Sequence, residues 1–180
     1  QGLYKRNTFC GQNDIARKML RDALGLSADT KVVLGVGYAD HRKGIDIFVE
    51  IGIAIAKQHR NIFFVCFGHW DTRMQPLVEQ RLIESQMQQR ILFVGRKENT
   101  DMYYAGADVY ALTSREDPFP SVVMESLEVS VPVVGFNGAG GFDVLISKGC
   151  GILVEKENVT EFSKAILEIV CNQEKACELG

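Results

Sequence analysis

Apolar positions along the chain fall into two alternating rhythms. The first is helical: Ile15, Met19, Leu20, Ala23 and Leu24 recur at three- and four-residue spacing over Asn13–Leu24, and Gly25 supplies a stop. Lys31–Val36 then breaks the rhythm, with a short, mostly β-branched run closed by Gly35 and Gly37, as a strand covered on both faces requires. After Gly44, the residues Ile45, Phe48, Val49, Gly52, Ile53 and Ala56 lie on one helical face. Ile62–Phe67 is a second apolar strand, ending at Gly68. The alternation continues through a helix carrying Leu77, Val78, Arg81 and Leu82, a strand at Ile91–Val94 and a short helix around Met102–Ala105. Strands at Val109–Leu112 and Pro132–Phe136 follow, separated by a helix over Ser121–Glu128. A last helix carries Phe162, Ile166, Ile169 and Val170, with Asn158 and Glu161 as a capping pair at its start.

Strands that alternate with helices imply a parallel sheet, because each parallel crossover needs a dozen or more residues and normally uses a helix. The expected fold class is therefore α/β, a three-layer Rossmann-like domain around a parallel sheet. At 180 residues the chain fits one such unit. Residues 1–30 form a leading segment and helix, residues 31–180 the Rossmann-like domain, and no repeat or linker divides them.

Composition narrows the function classes. A net charge of −3 leaves no basic excess to neutralise a phosphate backbone, so nucleic acid is not an expected partner. No apolar stretch approaches the roughly 20 residues of a membrane-spanning helix. Residues 1–10 lack the apolar centre of a signal peptide, so a soluble, intracellular protein is expected. The five cysteines, Cys10, Cys66, Cys150, Cys171 and Cys177, show no paired C-x-x-C spacing and suggest neither zinc nor disulfides. His41, His59 and His69 lie in separate segments without a catalytic or metal-binding pattern. Of these, His41 is placed at a candidate ligand loop and the other two on the surface. Trp70 reads either as packing or as a pocket wall.

Ligands of open parallel sheets bind outside the carboxyl ends of the strands, so the loops leaving those ends matter most. In the first, residues 35–44, Gly37 and Tyr38 precede Arg42 and Lys43 at the start of a helix. Glycines allow close backbone approach and a helix N-terminus favours anions; the alternative is a solvated turn, and the strand-end position favours phosphate. The third glycine of a dinucleotide fingerprint is replaced by Asp40, and no Walker A sequence is present. A second loop, Thr113–Ser121, carries Asp117 and leads into the helix bearing Glu125; these carboxylates either cap the helix or accept hydrogen bonds from hydroxyls. The third, Gly95–Met102, with Arg96 and Lys97, either flanks a base or is solvated charge. The fourth, Asn137–Asp143, is a glycine cluster suited to a tight turn or to ligand contact.

The ordered set of segments resembles the second Rossmann-like domain of retaining GT-B glycosyltransferases, the group 1 branch that includes glycogen synthase and bacterial polysaccharide mannosyl- and glucosyltransferases. The resemblance covers about Val32 to Val170. It rests on Arg42-Lys43-Gly44, Phe93-Val94-Gly95, Ala107-Asp108-Val109-Tyr110-Ala111-Leu112-Thr113-Ser114, Glu125-Ser126-Leu127, Val131-Pro132-Val133-Val134, Gly140-Gly141 and Gly151-Ile152-Leu153-Val154.

The resemblance implies a donor-binding half of a GT-B fold, with the N-terminal acceptor domain outside this chain. The donor is a UDP- or GDP-linked sugar and the acceptor a glycan or lipid-linked molecule, as in surface polysaccharide biosynthesis. It implies Lys43 on the diphosphate with Arg42 beside it, Asp117 on the transferred sugar and Glu125 on the ribose. Gly37, Tyr38, Gly95, Arg96, Lys97, Met102, Phe119, Ser121 and Val122 complete the donor site. No metal or further cofactor is implied, and the location is cytoplasmic, peripheral to the inner membrane face through the absent domain. Two departures stand out: Asp117 replaces the usual Glu, and Gly37 and Tyr38 occupy the place of a usual Arg. They motivate an alternative, a non-catalytic nucleotide-sugar-binding module; a sugar-nucleotide epimerase or a phosphorylase is a third reading.

Overall fold

A computed structural model describes residues 5–118 and 121–180. Helix α1 (Asn13–Leu24) leads into β1 (Lys31–Val36), α2 (Ile45–Ala56), β2 (Ile62–Phe67), α3 (Met74–Ser85) and β3 (Ile91–Phe93). The second half runs α4 (Asp101–Gly106), β4 (Val109–Leu112), α5 (Ser121–Glu128), β5 (Val133–Phe136), α6 (Asp143–Leu145) with a π-type turn over Ile146–Cys150, β6 (Gly151–Val154), α7 (Val159–Val170) and α8 (Gln173–Leu179). The six strands are all parallel, in the order β3-β2-β1-β4-β5-β6. On one side of the sheet α2 packs against α3 and α7; on the other α4 packs against α1 and α5. The expected three-layer α/β architecture is the one observed.

The apolar runs become strands because both sheet faces are covered. Val32, Val33 and Leu34 of β1, and Val109, Tyr110 and Leu112 of β4, are almost wholly buried. Helix α2 is buried nearly all round, since it lies between the sheet and two other helices. At α7 the capping expectation holds in half: Asn158 Oδ1 accepts the Glu161 N–H at 3.0 Å. The Glu161 carboxylate turns instead toward the Glu155 N–H at 3.4 Å.

Three expectations are corrected. In α1 the buried stripe is Ala16 and Leu20 with Arg21, while Ile15 and Met19 are 53% and 45% exposed. Arg21 explains the rotation: it directs all five N–H groups inward, to the Thr30, Gly106 and Arg17 carbonyls and to Asp108 Oδ2 at 2.6 Å. Asp108 also accepts the Val32 N–H at 2.8 Å, so this ion pair fastens α1 to the starts of β1 and β4. Leu77 of α3 faces solvent, leaving Val78 and Leu82 as that helix's core contacts. Gly151–Val154 adds a sixth strand on the edge of the sheet, in register with β5.

Before α1, the chain bridges α4 and α5. Thr8 binds Asp101 through its N–H at 3.1 Å and its hydroxyl at 2.8 Å, and the Asn7 N–H reaches Glu128 at 3.1 Å. This strap ties the start of α4 to the end of α5.

Candidate functional site

The sheet order creates the site. From β1 the chain moves outward to β3, then returns to the other side of β1 as β4, so the loops after β1 and β4 leave toward opposite faces. A crevice opens at such a switch point. Its lining includes Gly37, Tyr38 and Lys43 from the first loop and Thr113 and Ser114 from the second.

Lys43 is placed by its backbone. Its N–H donates to Asp40 Oδ1 at 2.7 Å, its carbonyl accepts the Thr113 hydroxyl at 3.2 Å, and Gly44 turns into α2 with φ 66°. A Cβ on Gly44 would lie 2.0 Å from the Thr113 carbonyl oxygen, so only glycine lets the two loops approach this closely. The Lys43 ammonium then reaches Asp117, 74 residues later in the chain, and forms an ion pair with its carboxylate. Asp117 is 6% exposed.

The glycine cluster positions Asp117. The Asp117 N–H donates to the Ala139 carbonyl at 2.8 Å, and the Gly141 N–H to the Pro118 carbonyl at 3.0 Å. A Cβ on Gly140 would sit 1.7 Å from the Asp117 carbonyl oxygen. Gly140 thus serves the close approach of the two loops.

The positive end of α2 is met from within the chain. Asp46, in its first turn, accepts hydrogen bonds from the N–H groups of residues 46 and 47. Burial works against its charge, but these bonds and Arg115 hold its carboxyl below the usual value. Arg42 is exposed and turned aside: its Nη1 donates to the Glu116 carbonyl at 2.9 Å. Lys43 is thus the cation that lines the crevice. His41 is exposed and contributes its carbonyl to Arg115.

Glu125 and Ser121 line a second hollow, with Tyr104 and Asp101 of α4, Asn99 and Thr100 of the third loop, and Asn7 of the strap. Burial pushes the Tyr104 phenol well above its ordinary value, and Tyr110 and the Glu125 carboxylate add to it. Tyr110 is raised likewise, by burial first and then by Cys66, Asp117 and Glu125. Both phenols therefore stay protonated beside the two carboxylates.

The remaining candidates are distributed around these hollows. Gly95 has φ 69° and its carbonyl accepts the Gly68 N–H at 3.1 Å, joining the loops after β2 and β3. Arg96 is exposed, Lys97 lies 5.9 Å from the Tyr103 ring centroid, and Met102 and Val122 pack against the core. Trp70 packs its ring on Phe93 at 4.5 Å. Phe119 lies outside the described residues. Among the described residues no cluster of three or more His, Cys, Asp or Glu is arranged to hold a metal ion, and no helix is long and apolar enough to cross a membrane.

Sequence reasoning missed Arg115. Its guanidinium donates to both oxygens of Asp46 at 2.8 and 2.7 Å and to the His41 carbonyl at 2.6 Å. It also pairs with Glu157 at 3.3 Å. A charged residue in a polar loop gives no periodic signal; its only sequence mark is adjacency to the acidic motif.

Comparison with known proteins identifies the fold and the family. An uncharacterized glycosyltransferase of Haemophilus influenzae is 28% identical over 171 residues, covering 93% of this chain and 44% of that protein. The lipopolysaccharide core biosynthesis mannosyltransferase LpsB of Rhizobium meliloti is 28% identical over 132 residues, covering 72% and 37%. The chain thus spans less than half the length of these relatives. Anabaena HepE, solved in complex with UDP-glucose, superposes with a TM-score of 0.82 at 22% identity, over 92% of this chain and 45% of that one. The fold is that of GT-B glycosyltransferase domains. A family profile described as glycosyl transferases group 1 matches residues 16–180, and the chain belongs to that family.

Proposed function

We propose that the crevice binds a nucleoside-diphosphate sugar, and that the complete protein transfers its hexosyl group, with retention at the anomeric carbon, to a glycan or lipid-linked acceptor. The observation that carries this reading is the meeting of Lys43 and Asp117 at the switch point, from loops 74 residues apart. One ammonium and one buried carboxylate at the mouth of a glycine-lined crevice match a ligand with an anionic end and a hydroxyl-bearing end. Lys43 takes the diphosphate, Asp117 the sugar hydroxyls, and Glu125 in the adjoining hollow the ribose hydroxyls. As the glycosidic bond breaks, negative charge grows on the departing diphosphate. A fixed ammonium and the amides at Ser121 and Val122 lower that barrier because they need no reorganisation. The UDP-glucose held by Anabaena HepE on the same fold supports a uridine donor, with GDP the other candidate.

The acceptor would be held by an N-terminal domain outside this chain, in keeping with relatives about twice as long. Positioning both reactants contributes about 7–11 kcal/mol to a barrier, so this chain alone should not catalyse transfer efficiently. The LpsB likeness supports a role in surface polysaccharide synthesis. One observation favours a second reading, a non-catalytic nucleotide-sugar-binding module: Gly37 and Tyr38 bring no cation, and Arg42 is turned to the Glu116 carbonyl.

Calorimetric titration of the chain with UDP, GDP and ADP, repeated on Lys43→Ala and Glu125→Ala, tests the donor site. Saturable binding of one nucleotide, weakened by both substitutions, is expected; binding indifferent to Lys43→Ala would overturn the assignment. In the full-length protein, Lys43→Ala should abolish transfer. Sugar release or epimerisation without transfer would favour the alternatives.

A further inference from the structure

We infer that Arg115 is a positioning residue that sets where Lys43 stands in the crevice, by clamping together the loops after β1, β4 and β6. It rests on the donor-site reading above, because the property Arg115 controls is the placement of the ammonium assigned to the diphosphate.

Arg115 lies on the β4–α5 loop, two residues before Asp117, with its side chain 17% exposed. Its fork reaches across to the His41 carbonyl in the β1–α2 loop and the Asp46 carboxylate in the first turn of α2, which flank Lys43. The backbones reciprocate: the Arg115 N–H donates to the Arg42 carbonyl at 2.9 Å, and Arg42 Nη1 returns a bond to the Glu116 carbonyl at 2.9 Å. Lys43 and Asp117 are thus each held within a short stretch of chain whose neighbours are cross-linked. The third loop, after β6, is drawn in through Glu157, whose φ of 60° is a left-handed conformation uncommon for a non-glycine residue. An exposed lysine–carboxylate contact would do little here, since such pairs adapt freely in water. A planar guanidinium with bidentate geometry fixes both distance and orientation, and a lysine at the same place supplies charge without the fork.

The test is a double-mutant cycle on the chain, with UDP or whichever nucleoside diphosphate it binds as probe. Arg115→Ala should weaken binding about tenfold in the presence of Lys43, the size of coupling seen between residues in one network. Arg115→Lys should not rescue it. In the Lys43→Ala background the same substitution should change binding less than twofold, because Arg115 acts through Lys43. Equal losses in both backgrounds, or rescue by lysine, would overturn the positioning role. Amide hydrogen exchange without ligand forms the second arm. Arg115→Ala should speed exchange in residues 40–46, 113–118 and 155–158 while leaving 95–105 unchanged; unchanged exchange in the first three segments refutes the clamp. If the parent chain binds no nucleoside diphosphate, the donor-site reading fails, and the exchange arm still decides whether the clamp exists.

Discussion

Replacing Asp117 by Asn should make the chain bind free nucleoside diphosphate more tightly, although Asp117 is the residue proposed to hold the donor sugar. Lys43 already has a partner within the chain: its ammonium bonds the Asp117 carboxylate, with side chains 21% and 8% exposed. A diphosphate must recruit the same ammonium and must approach the carboxylate's negative charge. Asparagine keeps the volume and the hydrogen-bonding carbonyl but removes the charge. Opposite unit charges about 4 Å apart interact by about 4 kcal/mol at an effective dielectric near 20. Partial solvation of Lys43 and the desolvation cost of the pair cut the net value to about 1–2 kcal/mol. That corresponds to a gain of about 5- to 30-fold in affinity for UDP. The sugar-linked donor should not share the gain, because the carboxylate's hydrogen bonds to sugar hydroxyls, worth about 1.5–3 kcal/mol, are lost with the charge. Calorimetry with UDP and UDP-glucose on both proteins at one low ionic strength reads the two constants. Tighter UDP with unchanged or weaker UDP-glucose is expected. Weaker UDP binding by Asp117→Asn would refute the competition for Lys43.

Other tests address the scaffold. Arg21→Ala would leave the buried Asp108 carboxylate with the Val32 N–H and the more distant Lys31 ammonium at 3.5 Å, and should cost about 3–5 kcal/mol in denaturant unfolding; a loss under 1 kcal/mol would deny the pair its structural role. Burial pushes the Cys66 thiol up to about 12, so at pH 8 native protein should label at exposed Cys171 and Cys177 but spare Cys66, which reacts only after unfolding; native labelling of Cys66 would contradict its burial. The carboxyls of Asp46 and Asp101 are buried in part, which opposes their charge, yet Arg115 at the first and Thr8 and Lys5 at the second hold them below the usual aspartate value. Groups with depressed folded values stabilise the protein above the ordinary aspartate value, and that contribution is lost as pH falls from there through the lowered folded value. Thermal melts from pH 6 to pH 3 should decline, and Arg115→Ala should flatten part of the decline; an identical pH profile would show that Arg115 does not set the Asp46 carboxyl.

Where local composition decides an element, the sequence was enough. The apolar runs Lys31–Val36 and Ile62–Phe67 fit a sheet covered on both faces, and their observed bounds match the reading. Helix α1 was found with its bounds right and its face wrong, because hydrophobic periodicity counts Ile15 and Met19 as inward and Arg21 as outward. A charged side chain that satisfies all its donors inside the fold inverts that rule, and no local pattern records that its partner lies at Asp108. The sixth strand was missed for a related reason: Gly151–Val154 is too short to declare itself, and it becomes a strand by pairing with the exposed edge of β5.

The candidate site divides along the same line. Lys43 and Asp117 stand out by residue type at strand ends, which is a local property. Their pairing is a property of strand order: β1 and β4 are neighbours only because the chain doubles back after β3. The glycines belong to the same consequence. Gly44 and Gly140 read locally as turn formers, yet each is required because another loop's carbonyl, at Thr113 or Asp117, occupies the space of a Cβ. Such a contact, unlike a turn, can be anticipated only after the topology is known. Arg115 is the extreme case, since each group it binds lies on a different segment from its own, and adjacency to the acidic motif alone does not distinguish it from solvated charge. Residues that touch a ligand are constrained by chemistry and are legible by type. Residues that hold those in place are constrained by three-dimensional proximity, and in this chain they emerge only once β4 lies beside β1.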